Sequence, residues 1–220
     1  MTTRFTKRTG GVSHGAFASL NLGLHVGDVE SDVIANRSIA STPFGSVQFM
    51  NQVHGDRIAI IEEITDEAPT ADALVTGIPG IALAVMVADC IPLLLKSPEC
   101  VAAVHVGRRG LVNEITRKSI AVMRDMGASH ITAIIGPAIC GECYEVSEDI
   151  FQEVVALHPF AASQSKSGKR ALDLPAALRS VLSDEGVAIL NKFECTVENP
   201  DLFSYRRDGV TGRQAGIISI

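Results

Sequence analysis

Four apolar runs in the middle of the chain limit the possible folds most severely. Ile81–Val87, Pro92–Lys96, Val101–Val106 and Ile131–Ile135 are apolar at nearly every position instead of at alternate ones. A strand with one face in water alternates, whereas a strand that is apolar on both sides needs cover on both faces. Further β-like runs are Val47–Asn51, Arg57–Ile61 and Ala215–Ile220. The stretch Ile78–Leu95 is interrupted by Pro79, Gly80, Asp89 and Pro92. It therefore does not read as a membrane helix, which needs about 20 uninterrupted apolar residues.

Helical periodicity fills the gaps between the runs. Asp28 can cap a helix to about Ser41, and a second helix spans about Leu111–Met126 with Gly127 as its stop. A third runs from Ser147 to His158, ended by Pro159, and a fourth follows Asp173 with Pro175 in its first turn and stops at Gly186. The stretch 161–170 is rich in Ser, Lys and Gly and reads as an exposed mobile loop. The expected architecture is an α/β (α+β) chain with mixed β-sheets flanked by helices. No linker divides it, so residues 1–220 are expected to form one domain.

Composition excludes several functions. At 46% hydrophobic and 20% charged residues the chain has ample material for a core and is not disordered. The excess of Asp and Glu gives a formal charge of −6, and aromatics are only 5% with no Trp. A basic face and stacking platforms for nucleic acid are therefore not expected. The charged opening Met1–Arg8 is not followed by an apolar segment, and five cysteines is an odd number in a chain too large to need staples. Reduced thiols, a cytoplasmic location and a monomer are the expectation.

Three ligand-type residues lie at the ends of apolar runs: His54 in Asn51–Gly55, Cys90 in Val87–Pro92 and His105 in Val101–Gly107. A histidine beside glycine is more often a hydrogen-bonded structural residue, and their wide spacing matches no short zinc motif. The residues alone leave both readings open. Cys140-Gly-Glu-Cys143 is a lone C-x-x-C, a pattern shared by redox-active pairs and half zinc sites; without a second pair it reads as two neutral, reduced thiols, and Cys100 and Cys195 read as structural thiols.

A set of blocks carries a family resemblance. They include Arg8–Ser13, Phe17–Gly23, His25–Asp28, Asn36-Arg37, Gln52–Gly55, Ala71–Thr76, Ala88–Pro92, Ile135–Pro137, Tyr144–Val146, Phe203–Arg207 and Thr211–Arg213. In that order the chain resembles the YfiH-like family, variously called polyphenol oxidase (laccase), purine nucleoside phosphorylase and peptidoglycan-editing factor. The resemblance implies a fold similar to that of YfiH and the cytotoxic necrotizing factor toxins. It implies one metal, usually zinc, on His54, Cys90 and His105, which would also be the catalytic residues.

Two imidazoles and one thiolate leave a fourth tetrahedral position open, as in catalytic zinc sites. The same set suits copper with a weak axial methionine, and Met86 lies four residues before Cys90. A multicopper centre needs many histidines, and this chain has six. Gly107–Leu111, with Arg108 and Arg109 at a helix start, reads as a phosphate site. Family members often carry Trp in place of Arg108, which leaves Arg109 as the matching residue. Arg206, Arg207, Arg37 and Gln52 fall in family blocks and are further candidates for substrate or phosphate contact, while His14 and His25 are candidates for the pocket lining.

The activity so implied is phosphorolysis of purine nucleosides (adenosine, inosine, guanosine, methylthioadenosine) with deamination of adenosine, the partners being nucleosides and phosphate. The alternatives are a metal-independent hydrolase with Cys90 as nucleophile and His105 or His54 as base, a peptidoglycan-editing factor, and a copper-dependent polyphenol oxidase.

Overall fold

The computed structural model describes residues 1–220. The chain opens with β1 (Thr2–Phe5), then α1 (Glu30–Ser41), β2 (Ser46–Gln48), β3 (Ile58–Ile60) and β4 (Ala73–Thr76). The central segment supplies β5 (Ile81–Val87), β6 (Ile91–Lys96), β7 (Val101–Val106), α2 (Arg108–Val112), α3 (Ile115–Asp125) and β8 (Thr132–Ile135). The remainder comprises α4 (Glu148–Leu157), β9 (Ala162–Gln164), β10 (Arg170–Leu172), α5 (Leu174–Asp184), β11 (Ala188–Asn191), α6 (Tyr205–Asp208) and β12 (Gln214–Ser219).

A six-stranded mixed sheet has the order β11-β8-β6-β7-β4-β3, and a four-stranded mixed sheet has the order β1-β12-β5-β2. Period-two alternation explains how they stack. Leu93 and Leu95 of β6 join Val104 and Val106 of β7 against Leu111, Ile115, Ile120, Leu178 and Leu182 of the helices. Leu94 between them points the other way, with Leu74, Ala103 and Ile134, onto Leu83, Val85 and Ile218 of the smaller sheet. The far face of that sheet, Ala82, Ala84, Met86 and Ile217, is covered by Leu20, Leu22, Ala40 and Phe49. The central strands are thus buried on both faces, as their unbroken apolar runs require.

Several expectations change in detail. The helix expected over 111–126 is two pieces, because Glu114 between α2 and α3 takes a left-handed φ of 60°. Asp28 does not cap α1 from the N-cap position, which is held by Val29. Its carboxylate instead accepts from Ser13 Oγ (2.6 Å) and Asn21 Nδ2 (2.9 Å), tying the glycine-rich opening together. The stretch read as a mobile loop is the antiparallel hairpin β9–β10, its Ser and Lys residues forming the tip. Asp173 caps α5 as expected, accepting from Ala176 N at 2.8 Å. No helix is long and apolar enough to cross a membrane.

Leu94 is fully buried between the two sheets and lies against Gly216 of β12. Leu94→Ala should destabilise the chain by about 2–5 kcal/mol, measured by denaturant unfolding. An unchanged midpoint would show that the sheets do not pack through this residue.

Candidate metal centre

The site forms where three chain turns meet. His105 is near the end of β7, Cys90 immediately precedes β6, and His54 sits in the loop after β2. Their ligand-type atoms all lie within 4.8 Å of one another. Cys90 Sγ is 4.0 Å from His54 Nε2, and the two imidazole rings meet edge to face with centroids 4.7 Å apart.

A residue absent from the candidates above holds both histidines. Asp72, fully buried, accepts the backbone N–H groups of Val53 (3.2 Å), His54 (2.9 Å) and Gly55 (2.7 Å). It also pairs at 2.8 Å with His105 Nδ1, which leaves Nε2 facing the site. The three amides hold His54 at its left-handed φ of 59°. A carboxylate on the outer nitrogen of a ligand histidine fixes both its tautomer and its ring orientation.

Asp89 fixes the backbone immediately before the cysteine. Its φ is 96°, held because its carboxylate accepts Thr196 Oγ1 (2.6 Å) and Arg206 N (2.6 Å) while its carbonyl accepts Ile139 N (2.9 Å). Gly107 gives the sulfur room, since a Cβ there would lie 2.9 Å from Cys90 Sγ.

In the metal-free chain, burial alone would raise the Cys90 thiol. The His105 and His54 imidazoles overcome this and lower it to about 6. Burial likewise opposes charge on His105, yet Cys90 and Asp72 raise it. The donors are two imidazole nitrogens and a sulfur that ionises readily, carried on pre-oriented side chains. That donor set fits a borderline-soft divalent cation.

A cleft of about 560 Å³ opens over these residues. Arg108, Arg206 and Arg213 supply cationic groups, Tyr144 and Tyr205 supply aromatic walls, and burial with the nearby Arg213 and Arg37 pushes the His25 imidazole on the same wall toward its neutral form. The Arg206 guanidinium lies 5.1 Å over the Tyr144 ring and donates to Glu145 O at 2.8 Å. Burial pulls Arg213 below its usual range and pushes the Tyr144 hydroxyl up.

The other sequence candidates lie elsewhere or are engaged. Arg109 is exposed and absent from the cleft wall, because successive helical residues point about 100° apart and Arg108 takes the inward position. Arg207 donates to the carbonyls of Thr196, Val197, Asn199 and Leu202 and pairs with Asp208. Arg37 donates to Leu22 O and stacks on Phe49. Gln52 lines the cleft, but both ends of its amide pair with the Met86 backbone at 2.8 Å. His25 reaches the cleft and His14 does not. Asp72, Tyr144 and Arg213 are the site residues that sequence reasoning misses. Asp72, Tyr144 and Arg213 stand in family blocks, which was the available signal.

Fold and site together define a mixed α/β protein with a His-Cys-His group able to hold a metal under a cationic cleft. The chain belongs to the family described as multi-copper polyphenol oxidoreductase laccase, matched over residues 2–220. A Corynebacterium glutamicum relative named purine nucleoside phosphorylase is 42% identical over 97% of this chain and 92% of its own. A Bacillus subtilis relative with the same name, YlmD, is 34% identical over 98% and 87%. Among solved structures, a Neisseria meningitidis DUF152 protein has TM-score 0.90 at 39% identity, covering 99% of this chain and 93% of its own. Bacillus licheniformis YfiH has TM-score 0.88 at 32% identity, covering 98% and 91%.

Asp72→Asn should weaken metal affinity about 10–100-fold, read by chelator competition on the loaded protein. Unaltered affinity would remove Asp72 as the residue that orients the ligands.

Proposed function

We propose that this chain is a zinc-dependent purine nucleoside phosphorylase that also deaminates adenosine. The observation that carries the reading is the His54–Cys90–His105 group at the base of a cleft lined by Arg108, Arg206 and Arg213. The purine nucleoside phosphorylase names of full-length relatives support it. Zinc fits the donor set better than copper. Only two of the six histidines converge on Cys90, and the Met86 sulfur is met by the Arg37 guanidinium at 3.6 Å. Bound zinc would supply Lewis-acid polarisation of a substrate atom or of water.

The remaining work falls to the chain itself. Tyr144, Tyr205, Ile139 and Leu174 offer a surface for a purine and its ribose. The guanidiniums bind phosphate and spread its charge. In phosphorolysis a phosphate oxygen bonds to ribose C1′ as the C1′–N9 bond breaks, and the base leaves with a proton. In deamination water adds at C6 and ammonia departs. His54 and His105, fixed by Asp72, keep their Nε2 atoms on the cleft side.

The test is incubation with adenosine, with and without phosphate. Adenine formed only with phosphate, and inosine formed in both, are expected. No adenine with phosphate present would sink the phosphorylase reading. Arg108→Ala and Arg206→Ala should weaken phosphorolysis about 10–100-fold, from a charge-assisted contact of roughly 1.5–3 kcal/mol. Deamination should be far less affected, and Arg109→Ala should leave both rates unchanged. Equal loss of both reactions with zinc retained would assign the arginines to the shared nucleoside pocket.

A second reading has one observation behind it. Cys90 with His54 Nε2 at 4.0 Å, beside the His105–Asp72 pair, also has the layout of a cysteine-hydrolase triad. Full turnover by rigorously metal-free protein would favour it.

A further inference from the structure

A second convergence of ligand-type side chains lies outside the His54–Cys90–His105 group. Cys140, Cys143 and Cys195 bring their sulfurs within 4.8 Å of one another, and none is in a disulfide. The C-x-x-C thus gains a partner that lies over fifty residues along the chain. Two pieces of backbone make the meeting. In the Cys140–Cys143 turn, the N–H groups of Cys143 and Tyr144 both donate to Cys140 O at 3.1 Å. Two residues before that turn, Ala138 bridges Cys195: Ala138 N donates to Glu194 O (3.1 Å) and Thr196 N to Ala138 O (3.0 Å).

The turn is also clamped from outside. A Cβ on Gly141 would lie 2.7 Å from both Asp173 Cβ and Ser163 Oγ, so the β9–β10 hairpin and the start of α5 press on it. Lys166, in the hairpin tip, donates its N–H to Glu142 O at 3.3 Å, and its ammonium pairs with Glu198. Sulfurs this close on fixed backbone differ from thiols packed for volume. Two of the three are only half-buried, in a polar setting that includes Lys166 and Glu198.

We propose that Cys140, Cys143 and Cys195 form a second, structural metal site for a thiophilic d10 cation, namely zinc. A C-x-x-C turn joined by a third cysteine on adjacent backbone supplies three of the four ligands of a tetrahedral thiolate site, and water completes the fourth position. Binding exchanges three S–H protons for one Zn²⁺, leaving the cluster at −1 beside the Lys166 ammonium.

The site would fasten one wall of the cleft without touching substrate. Ile139 and Tyr144 flank the turn and line the cleft. Asp89, next to Cys90, binds both fastened segments through Ile139 N and Thr196 Oγ1. The inference does not rest on the phosphorylase reading, because its test reads metal and not turnover.

The test loads reduced, metal-free protein with Co²⁺ and follows stoichiometry and the sulfur-to-cobalt charge-transfer band, with zinc content in parallel. Wild type should take about two ions per chain, and Cys90→Ala about one, retaining the stronger band of a three-thiolate ion. Cys195→Ser should lose that band and keep the weaker one-thiolate signal. If Cys195→Ser fails to fold by circular dichroism, Cys90→Ala decides alone, since it leaves the three thiols intact. One ion in wild type with none in Cys90→Ala would overturn the proposal. So would a chain two hydrogens lighter whose paired cysteines react with thiol reagents only after reduction, which would make the cluster a disulfide.

Discussion

The buried carboxylate of Asp72 accepts four hydrogen bonds, three from consecutive backbone amides at 53–55 and one from the His105 ring. A charge without exposure to water survives only when it is paired and fully hydrogen-bonded, and here every partner is a part of the site. One group therefore fixes the loop that carries His54 and the rotamer of His105. Asp72 directly precedes β4, and its own carbonyl accepts His105 N at 2.8 Å, so the anchor is built into the sheet. The reactive group inherits the rigidity of the core without contributing to it.

Around that anchor the arginines divide by whether they reach the cleft, since all of them are tethered: Arg108 pairs with Glu153, Arg206 donates to Glu145 O, and Arg213 donates to the carbonyls of Thr211 and Gly212. Arg207 and Arg37 give their donors to carbonyl oxygens and an aromatic ring and act as internal ties. Arg108, Arg206 and Arg213 keep cationic surface on the cleft wall. Neighbouring identical residues therefore do different work, and the local geometry of α2 and α6 decides which does which.

That division marks the limit of what the sequence discloses. The doubly apolar runs located β5 to β8 because burial on two faces leaves a pattern that no turn chemistry can disguise. Strand β4 hid because it is four residues long and follows a charged residue. The break at Glu114 hid because helical periodicity continues across it. Arg108 and Arg109 could not be told apart without the phase of a five-residue helix. His54, Cys90 and His105 drew notice as polar residues at strand ends, but only the fold could show that they meet. Cys195 gave no local sign at all, since its partners come through a single bridge to Ala138.

Strand β12 lies between β1 and β5, pairing Thr2 with Ser219 at one edge and Gln214 with Val87 at the other. Ala215 N donates to Thr6 Oγ1 across 209 positions of sequence. Closing a loop of that length precedes any reward from the contacts it makes, so high contact order slows folding. Until residues 214–219 insert, β5 lacks a neighbour at the end that leads into Asp89 and Cys90. The cleft is therefore complete only when residues 214–219 are in place beside β5. The two ends of the chain thus meet in one sheet, and the strand that leads into the His54–Cys90–His105 group is held directly by the C-terminal end and through it by the N-terminal one.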